Sequence, residues 1–362
     1  MSRRKTIALS VLGVVVVSMS AFGVRVLSQA GQFTTIKNMQ SGACQIYGGI
    51  PAPEDIVIDS VLQKAFISSL DRRSVSVQKT QTPVRRGSIQ ILDLATIKPG
   101  SKIRYKNVTP DLPTRFYPRG LSLYTGKDGT KRLFVINQGR DNTPSVEIFR
   151  VTPESLIYEK SVDLGTDVIF ANDVLATGPD RFYVTDSAVS GVVSEAMNFS
   201  LQRKRSRVLY FNGNKISPVA TDFVMANGIA MSKTGKEVYV TDTFSRSLRF
   251  FRRNPTTGAL KDSGVLFIGT GVDNIDVAGD GSLWMAAHPR LIDFALYRLG
   301  LKAISPSQVI RAMPGKNGGG EVRTIYLNLG GQISGSSVAV AFDNRFIIGS
   351  ARDNKLAICA RK

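Results

Sequence analysis

The chain of 362 residues contains one histidine, two cysteines and one tryptophan. A single histidine rules out a histidine pair and a three-histidine metal site. Two cysteines are too few for a Cys-rich zinc or iron–sulfur site. Acidic residues are also scarce: 28 face 47 basic ones, a formal net charge of +19. So basic a chain is drawn to polyanions, yet its basic residues are dispersed. The tightest clusters are Arg203-Lys204-Arg205 with Arg207, Arg72-Arg73, Arg85-Arg86 and Arg252-Arg253, and none sits in a nucleic-acid-binding motif. The charge therefore reads as that of a basic exported protein with no specific nucleic-acid partner. With 43% apolar and 21% charged residues the composition is globular, which excludes a disordered tail, a collagen-like repeat and a multi-span membrane protein.

What is present begins with a targeting segment. Ser2-Arg3-Arg4-Lys5 is a positive start, and residues 6–24 follow without a charge, including Val14-Val15-Val16-Val17. Residues 1–30 read as a signal peptide or an uncleaved N-terminal anchor. The run is about long enough to span a bilayer. Small residues at Ser18/Ser20, Ala21/Gly23 and Ser28/Ala30 each offer a cleavage site. Export would place residues 31–362 in an oxidising, calcium-rich compartment: secreted, periplasmic or anchored on the extracytoplasmic side. Two cysteines there usually pair. A bond between Cys44 and Cys359 would tie the ends of the mature chain together, worth at most about 5 kcal/mol by loop entropy. The alternative is two buried free thiols. Asn107-Val108-Thr109 and Asn198-Phe199-Ser200 are glycosylation sequons, relevant only in a eukaryotic secretory pathway.

Six short runs share one shape: residues 65–68, 133–137, 181–186, 237–242, 282–286 and 345–349, for example Phe182-Tyr183-Val184-Thr185-Asp186 and Val238-Tyr239-Val240-Thr241-Asp242. Each is aromatic or β-branched and ends in small or polar residues, as a buried strand does. Each is followed by a second strand-like run: 87–94, 145–151, 206–212, 246–253, 294–299 and 355–360. Turn signals such as Gly178-Pro179-Asp180 and Gly279-Asp280-Gly281 separate the runs. No sustained helical periodicity appears after the leader. Six units of about fifty residues predict an all-β, six-bladed β-propeller over residues 31–362, closed by strands from both termini. A sandwich or barrel would leave six copies of one unit unexplained.

Polar residues precede these strands: Glu54-Asp55, Asn172-Asp173, Asn227-Gly228 and Asp273-Asn274. Equivalent points of propeller blades converge on the axis, so Glu54, Asn172, Asn227, Asp273 and Asn274 can meet. Carboxylate and amide oxygens are hard donors that suit Ca²⁺ rather than zinc or copper. One such pair alone would be a turn; four in register point to a metal.

The same residues carry a family resemblance. Residues 44–69, with Pro53-Glu54-Asp55-Ile56 and Ala65-Phe66-Ile67-Ser68-Ser69, resemble the start of the serum paraoxonase/arylesterase family. The similarity continues through Pro118-Arg119-Gly120-Leu121-Ser122, Asn172-Asp173-Val174, Ala226-Asn227-Gly228-Ile229, Val272-Asp273-Asn274-Ile275, Leu283-Trp284 with His288-Pro289, and Gly335-Ser336-Ser337-Val338 to Cys359. Gluconolactonase and strictosidine-synthase-like propellers share fewer of these blocks. The resemblance implies two calcium ions. A catalytic ion would take Glu54, Asn172, Asn227, Asp273 and Asn274; a structural ion would take Asp55, Asp173 and the Leu121 carbonyl. It also implies a retained hydrophobic leader, a bridge between the terminal cysteines, and hydrolysis of lactones and aryl esters.

One departure matters. Arg119 and Gln138 stand where the family has a histidine pair thought to activate the attacking water. Arginine stays protonated and glutamine does not titrate, so neither is a general base. The expected function is a calcium-dependent lactone or aryl-ester hydrolase with Asp273 as base, His288 binding substrate or shuttling a proton, and Arg119 receiving an acidic substrate group. The alternative is a non-hydrolytic calcium-binding propeller, either a binding protein or a lyase of the strictosidine-synthase type.

Overall fold

The computed structural model describes residues 3–40, 42–73, 87–98, 100–112, 115–139, 143–315 and 318–361; Arg85-Arg86 lies outside them. Twenty-four strands in six sheets form six antiparallel blades, and one further short strand edges the fifth. The first blade comprises Pro53–Asp59, Lys64–Ser69, Ser88–Asp93 and Tyr105–Asn107. The innermost strands of the others are Pro118–Thr125, Ala171–Gly178, Ala226–Met231, Gly271–Val277 and Ser336–Phe342. Each inner strand touches the next around a closed ring. The expected propeller is thus the observed fold.

Closure uses both ends of the chain. Met39–Gln40 edges the fifth blade, pairing with Gly320–Asn328. Cys44–Gly48 is the outermost strand of the sixth blade, beside the C-terminal Lys355–Ala360. Cys44 and Cys359 face each other in that register and are disulfide-bonded. Aromatic and β-branched side chains of the middle strands fill the space between blades. Phe134 and Phe182 pack from the second blade to the third, and Trp284 and Phe346 from the fifth to the sixth.

Three helices depart from the all-β reading. Helix α1 (Arg3–Gln29) covers most of the segment read above as a leader; among the described residues no helix is long and apolar enough to cross a membrane. Helix α2 (Val192–Leu201) and helix α3 (Leu291–Arg298) were not foreseen. Residues 294–299, read above as a strand, belong to α3 and its C-terminus; the strand after Leu283–His288 is Ser307–Pro314. Both helices are inserted between the second and third strands of a blade, so they sit on one face and roof the axis. Sequon residue Asn198 is buried within α2 and donates to the Ala188 carbonyl, whereas Asn107 is exposed. The end of α1 packs under the same roof. Ala30 is buried with Phe199, Phe244 and Leu291, and its carbonyl accepts from the Leu291 N–H at 2.9 Å.

Candidate metal centre and active site

Every inner strand carries a register break near its start: Pro53/Asp55, Pro118/Leu121, Ala171/Val174, Ala226/Ile229, Val272/Ile275 and Ser336/Ala339. Such a bulge inserts an unpaired residue and re-aims its side chain. The residues inside the breaks are Glu54, Arg119-Gly120, Asn172-Asp173, Asn227-Gly228, Asp273-Asn274 and Ser337-Val338. The sequence-predicted ligands therefore occupy equivalent positions in four blades, with Arg119 and Ser337 at those positions in the other two. Glycine permits the close approach in two places: a Cβ on Gly120 would lie 2.3 Å from Asp173 Oδ1, and one on Gly228 would lie 2.7 Å from Asn274 Cα.

A cavity of about 630 Å³ opens over these positions, lined by Glu54, Arg119, Asn172, Asn227, Asp273 and His288 among others. Three of the lining residues are oriented in one way. Asn172 Nδ2 donates to Ser187 Oγ at 3.3 Å, Asn227 Nδ2 donates to Thr243 Oγ1 at 3.0 Å, and Asp273 Oδ2 lies 2.8 Å from His288 Nε2. Ser187, Thr243 and His288 each follow or end the second strand of their blade. Asn274 Nδ2 donates to the Glu54 carbonyl at 3.2 Å. Each amide nitrogen is thereby satisfied, while Oδ1 of Asn172, Asn227 and Asn274 is buried without a hydrogen-bond partner, as is Glu54 Oε2. Unpartnered buried oxygens are rare in folded proteins and call for an unseen ion or water. Among the described residues no three Asp, Glu, His or Cys side chains gather as a metal cluster. The donor set is instead two carboxylates and three amides, and such oxygens fit a hard cation.

Below this layer Asp55 and Asp173 are both buried. Asp55 accepts from the Ile56 and Leu121 N–H groups at 2.9 and 2.6 Å, and Asp173 from Val174 and Ile229 at 2.7 and 2.8 Å. Burial pushes both carboxyls well above the usual range, and the charge of Glu54 adds to this for each. A cation beside them would oppose that shift.

His288 stacks on Phe294 of α3 with ring centroids 3.4 Å apart, and its Nδ1 is buried without a partner. Arg119 lies over the Phe170 ring at 4.4 Å and 3.6 Å from Glu54 Oε1. Arg72 is 3.5 Å from Glu54 Oε2. Burial and the charge of Arg72 lower the Arg119 pKa to about 10, so it stays cationic. Sequence reasoning missed Arg72, Arg298 and Arg352 as lining residues; each comes from a connection between strands, and no local pattern marks their convergence. The orienting partners left a usable signal. Ser187, Thr243 and His288 follow the inner-strand residues they touch by 15, 16 and 15 positions.

Comparison with known proteins agrees with this architecture. Serum paraoxonase/arylesterase 2 of Rattus norvegicus is 31% identical over 274 residues, covering 74% of this chain and 75% of its own. Serum paraoxonase/arylesterase 1 of Mus musculus is 28% identical over 358 residues, covering 96% of this chain and 97% of its own. A calcium-binding protein, regucalcin, from Agrobacterium tumefaciens superposes with a TM-score of 0.55 at 13% identity, over 90% of this chain and 95% of its own. A gluconolactonase from Xanthomonas campestris superposes with a TM-score of 0.51 at 15% identity, over 90% and 93%. At such identities these two structures attest the fold alone. The Arylesterase family model matches residues 65–359, from the second strand of the first blade to the last strand of the sixth, and on that match the chain belongs to the arylesterase family.

Proposed function

We propose that the protein is a calcium-dependent hydrolase of lactones or esters. The observation that carries this reading is the set of buried oxygens without a hydrogen bond on Asn172, Asn227, Asn274 and Glu54, on a propeller of the arylesterase family. Glu54, Asn172, Asn227, Asp273 and Asn274 would hold a catalytic calcium; Asp55 and Asp173 would face a structural one. Calcium at the upper position would polarise the substrate carbonyl and stabilise the developing oxyanion. Asn172 and Asn227, fixed by their hydroxyl partners, orient the carbonyl. Asp273 accepts the proton of the attacking water, and His288, 2.8 Å away, fixes the Asp273 carboxylate and relays that proton. Phe294 and the roof helices exclude bulk water from the pair. Export through the leader would supply both the calcium and the oxidising conditions that the disulfide needs.

The test is a panel of lactones and aryl esters assayed with purified protein before and after chelation. Turnover that vanishes with chelator and returns with calcium supports the reading. The absence of turnover on every substrate, with calcium bound, would favour the second reading: a calcium-binding propeller without hydrolysis. Arg119 and Gln138, in place of the histidine pair, are the observation behind that alternative. Turnover unaffected by Asp273→Asn but abolished by His288→Ala would remove Asp273 from the base role.

A further inference from the structure

We propose that the cavity selects substrates bearing a carboxylate beside an apolar body, and that Arg119 with Arg72 receives the carboxylate. The inference rests on the hydrolase reading and adds a substrate class to it.

Four guanidinium groups line the cavity: Arg72, Arg119, Arg298 and Arg352. Arg298 is paired with Glu195 at 2.6 Å. The other three share little negative charge. Glu54 stands between Arg72 and Arg119 at 3.5 and 3.6 Å, so one carboxylate serves two cations, neither at hydrogen-bonding distance. Asp273 is hydrogen-bonded to His288 and adds a weaker negative charge toward Arg119 than Glu54 does. Arg352 lies over the Tyr297 ring at 5.5 Å, and its Nε is buried without a hydrogen-bond partner, as is Arg72 Nε, while the two terminal nitrogens of Arg72 donate to the Ala351 and Pro118 carbonyls at 3.2 and 3.3 Å. Among the described residues Arg119 has an aromatic face and a distant carboxylate but no hydrogen bond.

A cation held in a partly buried pocket without full compensation is costly. The planar guanidinium fork matches a carboxylate bidentately. An incoming anion would compensate Arg119 and Arg72 together, since both already stand about the one Glu54 carboxylate. A metal bound through Glu54 would draw that carboxylate further from both arginines. The rest of the cavity has the opposite character. Phe170, Val192, Phe199, Phe244, Leu291 and Ile292 line it, which suits an aryl or alkyl body attached to the carboxylate. Arginine at position 119 thus acts as a recognition group in a place where base chemistry is closed to it.

The test compares 4-acetoxybenzoate with its methyl ester in calcium-loaded full-length protein. Wild type is expected to favour the free carboxylate in kcat/KM. Arg119→Gln should lower the acid-over-ester ratio by about 10- to 100-fold, chiefly through KM, the scale of one charge-assisted hydrogen bond. Arg119→Lys should restore part of it, and Arg352→Gln, at the cavity edge, should lower it less. The pair 4-acetamidobenzoate and 4-acetamidobenzamide, neither of which carries an ester, titrated by calorimetry, reads binding without turnover. If neither ester is hydrolysed but 4-acetamidobenzoate binds in an Arg119-dependent way, the carboxylate site stands and the hydrolase reading falls. If methyl 4-acetoxybenzoate is hydrolysed and 4-acetamidobenzamide bound as well as the corresponding acids, or Arg119→Gln weakens both members of each pair equally, the carboxylate site is overturned.

Discussion

Asn172, Asn227 and Asp273 owe their fixed orientation to Ser187, Thr243 and His288, so the partners predict as much as the ligands do. Thr243→Val removes the acceptor of Asn227 Nδ2 and frees the amide to rotate. Calcium affinity should fall by about tenfold, the worth of one hydrogen bond between neutral groups, as measured by titration of the chelated protein. The same hydroxyl also donates to the Val272 carbonyl at 2.7 Å, so Thr243→Ser should retain most of the affinity. A second residue-scale prediction concerns Asp276, outside the donor set. Burial raises its pKa from 3.8 to about 6, against the lowering effect of the Val277 and Ala341 N–H groups. The folded protein therefore holds this proton to higher pH than the unfolded chain does. Its contribution favours folding below about pH 4 and is lost as pH rises to about 6. Asp276→Asn should abolish that slope and stabilise the protein at pH 7 by about 1–2 kcal/mol, screening by solvent included. Thermal melts across pH 4–7 provide the check; an unchanged slope would assign it to another group.

At the scale of the element, the recurrent bulge is what turns a strand into a ligand carrier. Gly228 sits inside one, where an added Cβ would strike backbone: Asn274 Cα at 2.7 Å and Asp273 O at 2.8 Å. Neither atom can rotate away, so Gly228→Ala should cost about 1–3 kcal/mol of stability and displace two donors together. Loss of calcium affinity beyond the stability loss would separate these effects. The polar pairs Glu54-Asp55, Asn172-Asp173, Asn227-Gly228 and Asp273-Asn274 were legible because they repeat in register; that they sit in bulges of the inner strands was not. The six blades were legible for the related reason that aromatic and β-branched runs repeat. Helix α3 was not, although its signals are present: Asp293 in the first turn, Arg298 in the last, and Gly300 just beyond with φ +77°. Over eight residues an apolar run fits either period, and the expected second strand of the blade claimed it. The arginine cluster was unreadable for a different reason. Its members lie tens to hundreds of positions apart, on an inner strand (Arg119), at the end of α3 (Arg298) and on connections (Arg72, Arg352), and only the ring brings them together.

For the whole molecule the decisive feature is how the ring is shut. Reduction of Cys44–Cys359, which spans 315 residues, should lower stability by at most about 5 kcal/mol. The hydrogen bonds of the paired strands remain, so the melting temperature should drop without loss of the folded state at 25 °C. A reduced protein that is unfolded at that temperature would show the bond to be indispensable. The same closure has a consequence for synthesis on the ribosome. Cys44–Gly48 emerges early, yet its strand partner among the described residues, Lys355–Ala360, carries Cys359, made 315 residues after Cys44. Until Lys355–Ala360 is made, Cys44–Gly48 is an open edge carrying Ile46 and Tyr47, a template for pairing with a neighbouring nascent chain. A stop codon at position 354 should therefore yield aggregates during expression instead of a slightly shortened soluble protein, whereas supplying residues 355–362 as a separate peptide should rescue part of the soluble yield.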